Sequence, residues 1–327
     1  MGKYFLKRLG FCVFVLLGVS IISFILVHLA PGNPAQLMLG DAAPPEQIAA
    51  MEVELGLDKP LVEQYLIYMK GVFQGDLGDS IFFKRPCLEV IKESLPATLT
   101  LTCTAILVCL LISIPMGVIA GVKRGSLVDL GAMSFAILGQ SLSAVWLGIL
   151  MVLVFAVKLQ WLPAFGYGTA ANMIMPSITL GVPTAALICR LTRAGMIDVM
   201  SEDYILNAMS KGIPKGRVVV KYALKNVLIP VVTVVGVQIG TFLGGAVVTE
   251  QIFSLPGIGR MIVQSISRRD FPLIQSGLLV ISGMFVFVNL LVDMLYAVID
   301  PRLATAYASK KKKKAQAQTE EKEGNAA

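Results

Sequence analysis

The side chains that most often do chemistry are sparse in this chain. It holds one histidine, His28, and five cysteines, at positions 12, 87, 103, 109 and 189. One imidazole cannot form a metal site, and the cysteine spacing matches neither a zinc motif nor a disulfide framework. No Walker sequence, His-Glu-x-x-His or Gly-x-Ser-x-Gly motif occurs. We therefore expect no catalytic residue, no metal site, no cofactor and no ATP hydrolysis by this chain.

Two other groups of residues could act on a solute or on a partner. Four polar residues stand inside long runs without charge, and we interpret them as candidates for a translocation path: Ser141, Ser143, Gln238 and Asn289. Packing of small residues is the alternative for the two serines. A charged interval, 190–230, lies between two uncharged runs and is the candidate surface for a partner in water.

The composition explains the uncharged runs. The chain has 327 residues, of which 56% are hydrophobic and 15% are charged, and its mean hydropathy is +0.76. Runs without Asp, Glu, Lys or Arg are long enough for the roughly 20 apolar residues of a spanning helix, and in hydrocarbon each backbone polar group must bond within its own segment. The sequence predicts an all-α integral membrane protein with six spans, near 10–30, 97–121, 132–157, 174–194, 227–249 and 273–297.

Lysine and arginine predict the orientation of these helices. With a cytoplasmic N-terminus, the inside segments carry 19 of the 28 basic residues and the outside segments carry 9. We therefore expect both termini in the cytoplasm. The net charge of +7 then reflects topology and contact with anionic lipids, and it calls for no nucleic acid.

The spans divide the chain into four parts. An N-terminal transmembrane helix, 1–30, precedes an acidic extracytoplasmic segment, 31–95. A five-helix core, 96–300, contains a cytoplasmic loop, 190–226, and a basic tail, 301–327, is expected to be disordered.

Turn residues predict short helices outside the spans. In the extracytoplasmic segment, one helix is expected to begin at Pro44 and end at Gly56, and a second to follow Pro60 and end before Gly75. The stretch 250–272 mixes turn residues with apolar positions and predicts a short surface or re-entrant helix.

The cytoplasmic loop contains a predicted helix of about three turns. Ser201 is the expected N-cap, Glu202 and Asp203 fall in the first turn where negative charge favours the helix dipole, and Gly212 ends the helix. Its residues are the candidate coupling surface: Ser201, Glu202, Asp203, Tyr204, Ile205, Ala208, Met209, Lys211 and Gly212.

This helix is suited to sit in a groove of another protein. Tyr204 and Met209 are expected to be exposed as anchors. A second helix, from Pro214 to the start of span five at Asn226, has a basic face and would pass a push on the first helix to that span.

Motifs in a fixed order resemble a known family over about 300 of the 327 residues. They resemble the inner-membrane permease subunits of ABC importers for dipeptides and oligopeptides, with nickel importers as close relatives. The matching stretches are Val27–Pro34, Leu55–Leu61, Gly75–Ser80, Arg190–Arg193, Glu202–Ile205, Lys211–Gly212, Ala223–Asn226, Leu228–Thr233, Thr249–Arg260, Arg268–Pro272, Asn289–Asp293 and Asp300–Arg302.

The resemblance implies a type I ABC importer permease fold and a transport function. The predicted loop helix is similar to the "EAA" loop that docks an ATPase. The implied partners are a second homologous permease, two ABC ATPase subunits, an extracytoplasmic solute-binding protein and membrane lipids. The implied location is a bacterial or archaeal plasma membrane, and ATP hydrolysis falls to partner chains. Import of dipeptides or oligopeptides is the expected function; import of nickel or another small solute is the alternative, and secondary transport is less favoured.

Two stretches depart from the family pattern. Ala208–Gly212 differs from the expected "A-R-A-K-G" at Met209 and Ser210, which predicts an ATPase matched to an unusual surface. Ser141–Val145 lacks the helix-breaking proline of "S-x-P-x-F" at position 143, so the local shape of span three stays open.

Overall fold

A computed structural model describes the protein in these parts of the chain: residues 2–29, 34–39, 43–54, 56 and 58–299. Several predictions fall outside the described residues. They concern the tail 301–327, the motif residues at 300–302, residues 30–33 of the first motif, and Leu55 and Leu57 of the second motif. The side chain of Asp293 also lies outside the description.

The described chain is almost entirely helical, as the lack of backbone partners in hydrocarbon requires. Two helices continue into a π-helical stretch, α7 through Val152–Lys158 and α10 through Val218–Ala223. The helices are α1 Gly2–Leu29, α2 Pro34–Leu39, α3 Pro45–Glu54, α4 Leu61–Gln74, α5 Cys87–Val122, α6 Leu127–Ser141, α7 Ala144–Met151, α8 Ala170–Met200, α9 Asp203–Ser210, α10 Lys215–Arg217, α11 Leu224–Ile252, α12 Ile258–Ser267 and α13 Phe271–Ile299.

Five of the predicted spans correspond to single helical stretches that are long and apolar enough to cross a membrane. Within the described residues these are Arg8–Leu29, Cys87–Val122, Ala170–Met200, Lys215–Gly244 and Phe271–Val292. A sixth span is formed if α6 and α7 are counted together. The predicted all-helical membrane fold is therefore confirmed.

Span three is broken, where the sequence predicted one helix over 132–157. The stretches Leu127–Ser141 and Ala144–Lys158 are bent by 104°. Leu142 and Ser143 have extended backbone, with φ and ψ of −80° and 129° and of −67° and 137°. The Ser143 hydroxyl accepts a hydrogen bond from the Val145 amide at 3.3 Å, so it caps α7. A serine cap thus makes the break without proline.

The core of the bundle is the contact between α5 and α8. Small residues allow these two helices to pack closely. A Cβ atom at Gly181 would stand 2.8 Å from the carbonyl oxygen of Ala105, and one at Gly121 would stand 2.5 Å from the Cβ of Met196. Absent side chains at such positions let helix backbones approach each other in a membrane. Because α8 is held along its length, it can position the elements that follow it.

The short helices outside the spans agree with the turn signals. α3 ends two residues before Gly56, which has a φ of +68°, and α4 ends at Gly75, which has a φ of +81°. These left-handed conformations favour glycine. α12 is the short helix predicted in 250–272.

Candidate functional site

The charged interval 190–230 is mostly helical. Residues 190–200 are the last turns of α8, and Ser201 closes that helix by donating its hydroxyl to the carbonyl of Asp198 at 2.7 Å. The N-cap of α9 is Glu202, whose backbone is extended. The prediction of Ser201 as N-cap is wrong, because this hydroxyl is used at the end of the preceding helix.

Two apolar side chains hold α9 against the rest of the protein. Ile205 is fully buried and Ala208 is 8% exposed, and both belong to the core cluster that includes Val218 and Ala223. Met209 packs against the same cluster. The expectation that Met209 is exposed for a partner is therefore wrong, since its spacing places it beside Ile205 and Ala208.

The other side of α9 faces outward. Asp203, Asn207 and Ser210 are exposed, and they are flanked by Tyr204 at 41% and Leu206 at 49% exposure. Lys211 and Gly212 continue this surface. Leu206 was absent from the predicted set; the sequence signal that could have found it is a large apolar residue out of phase with Ile205 and Ala208.

A continuous connection leads from α9 to α11. Gly212 has a φ of +77° and turns the chain, and the Ile213 amide donates to the carbonyl of Ala208 at 3.4 Å. From Lys215 the chain stays helical through the π-helical stretch into α11, as predicted. The Asn226 amide also donates to the Tyr204 hydroxyl at 2.6 Å, which joins α9 directly to the first turn of α11.

The four candidates for the translocation path lie on different elements. Ser141 ends α6 and donates to the carbonyl of Ile137 at 2.9 Å, while Ser143 caps α7. The Gln238 amide on α11 donates to the Thr184 hydroxyl on α8 at 3.4 Å, and Asn289 is half-buried on α13.

A groove runs between α5 and α8. It has a volume of about 670 Å³ and is lined by apolar side chains and by a few hydroxyl groups, among them Leu111, Ile112, Thr100, Thr104, Tyr167 and Ser177. Within α5, Thr100 donates to the carbonyl of Pro96 and Thr104 donates to the carbonyl of Thr100, both at 2.7 Å. Between the helices, the Ser177 hydroxyl of α8 donates to the Thr104 hydroxyl at 2.7 Å.

The opposite end of the bundle is held by a buried carboxylate. Glu250, near the end of α11, is fully buried and accepts from the Thr98 hydroxyl of α5 at 2.6 Å and from the Arg260 amide of α12 at 3.0 Å. The Thr98 hydroxyl also accepts from the Ile258 amide at 2.9 Å. Burial raises the pKa of the Glu250 carboxyl above its ordinary value. Three helices thus meet at this side chain.

A second buried carboxylate holds the loop before α5. Asp270 is 1% exposed and accepts from the Ser80 hydroxyl and from the amides of Ile81 and Phe82, the last two at 3.1 and 3.2 Å. Nearby, the guanidinium of Arg268 lies 3.7 Å from the ring centroid of Phe82. Neither carboxylate was among the predicted site residues.

Two family models match the chain in adjacent parts. The model described as binding-protein-dependent transport system inner membrane component matches residues 113–305. The model for the N-terminal part of such membrane components matches residues 1–102.

Curated relatives match over nearly their whole length. The dipeptide transport system permease protein DppB of Alkalihalophilus pseudofirmus is 42% identical over 331 residues, with 93% of this chain and 99% of the relative covered. DppB of Escherichia coli strain K12 is 38% identical at the same coverage. The glutathione transport system permease protein GsiC of Pectobacterium atrosepticum is 42% identical over 303 residues, again with 93% and 99% covered.

A solved structure shows a weaker similarity. A chain from the crystal structure of an amino acid ABC transporter with histidines aligns with a TM-score of 0.46 at 16% identity, covering 65% of this chain and 94% of that chain.

Proposed function

The chain belongs to the family of binding-protein-dependent transport system inner membrane components, and we propose that it carries dipeptides or other short peptides across the plasma membrane. Members of the family are permease subunits of ABC importers, so the chain is a multi-pass membrane protein that works with other importer components and is not itself an enzyme. The single observation that carries the peptide substrate is the similarity to DppB and GsiC, which are named as transport proteins for dipeptides and for glutathione.

The proposed assembly has three kinds of partner. A second permease would complete the pathway, two ATPase subunits would bind at the α9 end, and a solute-binding protein would dock at the α12 end, in contact with 58–80. This arrangement needs both termini in the cytoplasm, which the bias of lysine and arginine supports.

The coupling surface of the proposal is the outward side of α9. Two buried side chains, Ile205 and Ala208, fix the helix, and its exposed residues include Tyr204 and Leu206, which suits a helix laid in a groove of a partner. The hydrogen bond from Asn226 to Tyr204 and the unbroken helical connector would transmit a movement of α9 to α11.

The proposed path for solute passes the break in span three and polar residues on the neighbouring helices. Ser141 and Ser143 stand at the break, where two residues of extended backbone interrupt the helix. Gln238 and Asn289 would add amide groups from α11 and α13. Irregular backbone at membrane depth is tolerated where it lines a cavity or is buried in protein, which supports this assignment.

Reconstitution tests the substrate and the energy source together. The chain is co-reconstituted in proteoliposomes with the other components of its importer, and uptake of a labelled dipeptide is measured with ATP or with an ion gradient. We expect uptake only with ATP. Uptake driven by an ion gradient alone would contradict the importer, whereas ATP-driven uptake of nickel without dipeptide would overturn only the peptide substrate.

A further inference from the structure

The helix α4 exposes large apolar side chains although it lies beside a membrane span. Phe73 is 82% exposed, Val62 is 73% exposed and Leu66 is 60% exposed. No residue of α4 is buried. A cluster of this kind on a helix needs a partner that is itself apolar.

The contacts of α4 fix its level along α1. Phe24 of α1 packs against the rings of Tyr65 and Tyr68, with centroids 5.4 and 6.2 Å apart. The axis of α4 therefore crosses α1 near Phe24. From Arg8 to Phe24 the helix α1 rises about 24 Å at about 1.5 Å per residue. Arg8 is the first residue of the apolar span Arg8–Leu29. If this charged residue marks one edge of the hydrocarbon, which is about 30 Å thick, the crossing point falls about 6 Å inside the opposite edge. A tilt of α1 would place it deeper.

Two hydrogen bonds fix the rotation of α4. The Tyr65 hydroxyl bonds to Ser20 at 2.8 Å, toward the membrane centre, whereas Gln64 bonds to His28 at 2.9 Å, toward the end of α1. Side chains on the Tyr65 side thus point into the membrane.

The exposed residues sort by this direction. At about 100° per residue, Val62, Phe73 and Leu66 lie about 60°, 80° and 100° from Tyr65 on the side away from Gln64. The polar residues Lys70 and Glu63 lie about 140° and 160° away, on the outward side. Ile67, at 50% exposure, lies beyond them and on the side away from the membrane centre.

The neighbouring surface of α1 is of the same kind. Ile21 and Ile25 are 44% and 48% exposed at the level of the crossing, and a spanning helix meets lipid there. The apolar edge of α4 continues this surface.

We infer that α4 is an interfacial helix, with Val62, Leu66 and Phe73 in contact with the acyl chains of the lipid layer farther from Arg8 and with Glu63 and Lys70 at the headgroups. An amphipathic helix with its apolar side about 5–10 Å inside the headgroup boundary is the known form of such binding. The inference does not depend on the transported solute.

Fluorescence quenching by lipid tests the inference in the full-length chain. Trp146 and Trp161 are replaced by Phe, and either Phe73→Trp or, as the matched control, Ile67→Trp supplies the single tryptophan. The proteins are reconstituted in phosphatidylcholine vesicles with or without acyl chains brominated close to the headgroup. We expect an about twofold loss of fluorescence for the tryptophan at position 73 and a much smaller loss at position 67.

Quenching by aqueous acrylamide distinguishes the alternatives. Shielding from acrylamide together with quenching by brominated lipid is the expected result at position 73. Strong quenching by acrylamide there would show a water-exposed face and overturn the inference. Shielding of position 73 from both quenchers would show that protein covers this face of α4. Equal lipid quenching at positions 73 and 67 would refute the inferred rotation of α4 about its axis. Either result would also overturn the inference.

Discussion

The two ends of the helix bundle are held in different ways. At the α12 end, Glu250 and Asp270 are buried and accept hydrogen bonds from groups 152 to 190 residues away in sequence. At the α9 end, the short helix is held by the side chains of Ile205 and Ala208, and its polar residues face outward. The difference indicates that buried polar groups fix the α12 end, whereas apolar packing fixes the α9 end and leaves its polar side exposed.

The physical cost of disturbing the two ends differs accordingly. Removing one partner from a buried, hydrogen-bonded carboxylate leaves polar groups unsatisfied at about 1–3 kcal/mol each. Removing an exposed side chain from a helix surface usually changes stability by less than about 0.5 kcal/mol. Substitutions at the α12 end should therefore act on folding, and those on the outward side of α9 should act on coupling.

The largest expected loss of stability is at Gly257. A Cβ atom there would stand 2.1 Å from the Glu250 carboxyl carbon, so Gly257→Ala forces the buried carboxylate to move and should cost about 1–3 kcal/mol. Gly244→Ala, in the same helix as Glu250, is the matched control, because no atom lies within 4 Å of its added carbon. Thermal unfolding of the full chain in detergent measures both. An equal midpoint for the two variants would contradict the described packing around Glu250.

A loss of stability of similar size is expected at Asp270. Asp270→Ala leaves the Ser80 hydroxyl and the amides of Ile81 and Phe82 without their acceptor, so the loop should detach at a cost of about 1–3 kcal/mol. Asp203→Ala makes the same change at the start of α9, where only the dipole interaction of about 0.3–1 kcal/mol is lost. Limited proteolysis should cut near 80–83 faster in the first variant only. Equal rates of cleavage in the Asp270→Ala and Asp203→Ala variants would contradict the claim that the two ends of the bundle are held in different ways.

The smallest effect is expected from Tyr204→Phe. It removes the hydrogen bond with Asn226 from an exposed position, a loss of about 0.5–1.5 kcal/mol at most. Hydrogen exchange should then become faster in α9 while the amides of α12 are unchanged. Unchanged exchange in α9 would show that this bond does not join the helix to α11.

Local signals in the sequence predicted much of the α9 end. Gly212 ends the predicted helix and Pro214 begins the connector, as the structure has them, because both effects depend on the backbone of single residues. The N-cap was misassigned by one position, since Ser201 was already bonded to the preceding helix. Met209 was misassigned although its spacing places it beside Ile205 and Ala208, because the residues that this side of α9 packs against include 218–223, which the pattern of α9 does not identify.

The α12 end could not be predicted in the same way. Glu250 and Thr98 lie far apart in sequence, and nothing in either local pattern indicates that they meet. The break at Ser143 was likewise hidden, because a serine cap and two extended residues do what the proline of the family pattern was expected to do. Long apolar runs in the sequence identify the membrane spans, but they do not identify the contacts between the spans.

The most direct test of the coupling role of α9 is ATP-driven uptake by the reconstituted importer with Leu206→Asp. Leu206 is half-exposed on α9, so the charge should leave the fold intact and disrupt the proposed contact with the ATPase. Leu127→Asp is the matched control, because Leu127 is 87% exposed in the first turn of α6 at the same end of the bundle. We predict at least about tenfold slower uptake for Leu206→Asp and normal uptake for the control. Normal uptake with Leu206→Asp, or an equal loss in both variants, would contradict the assignment of α9 as the coupling surface.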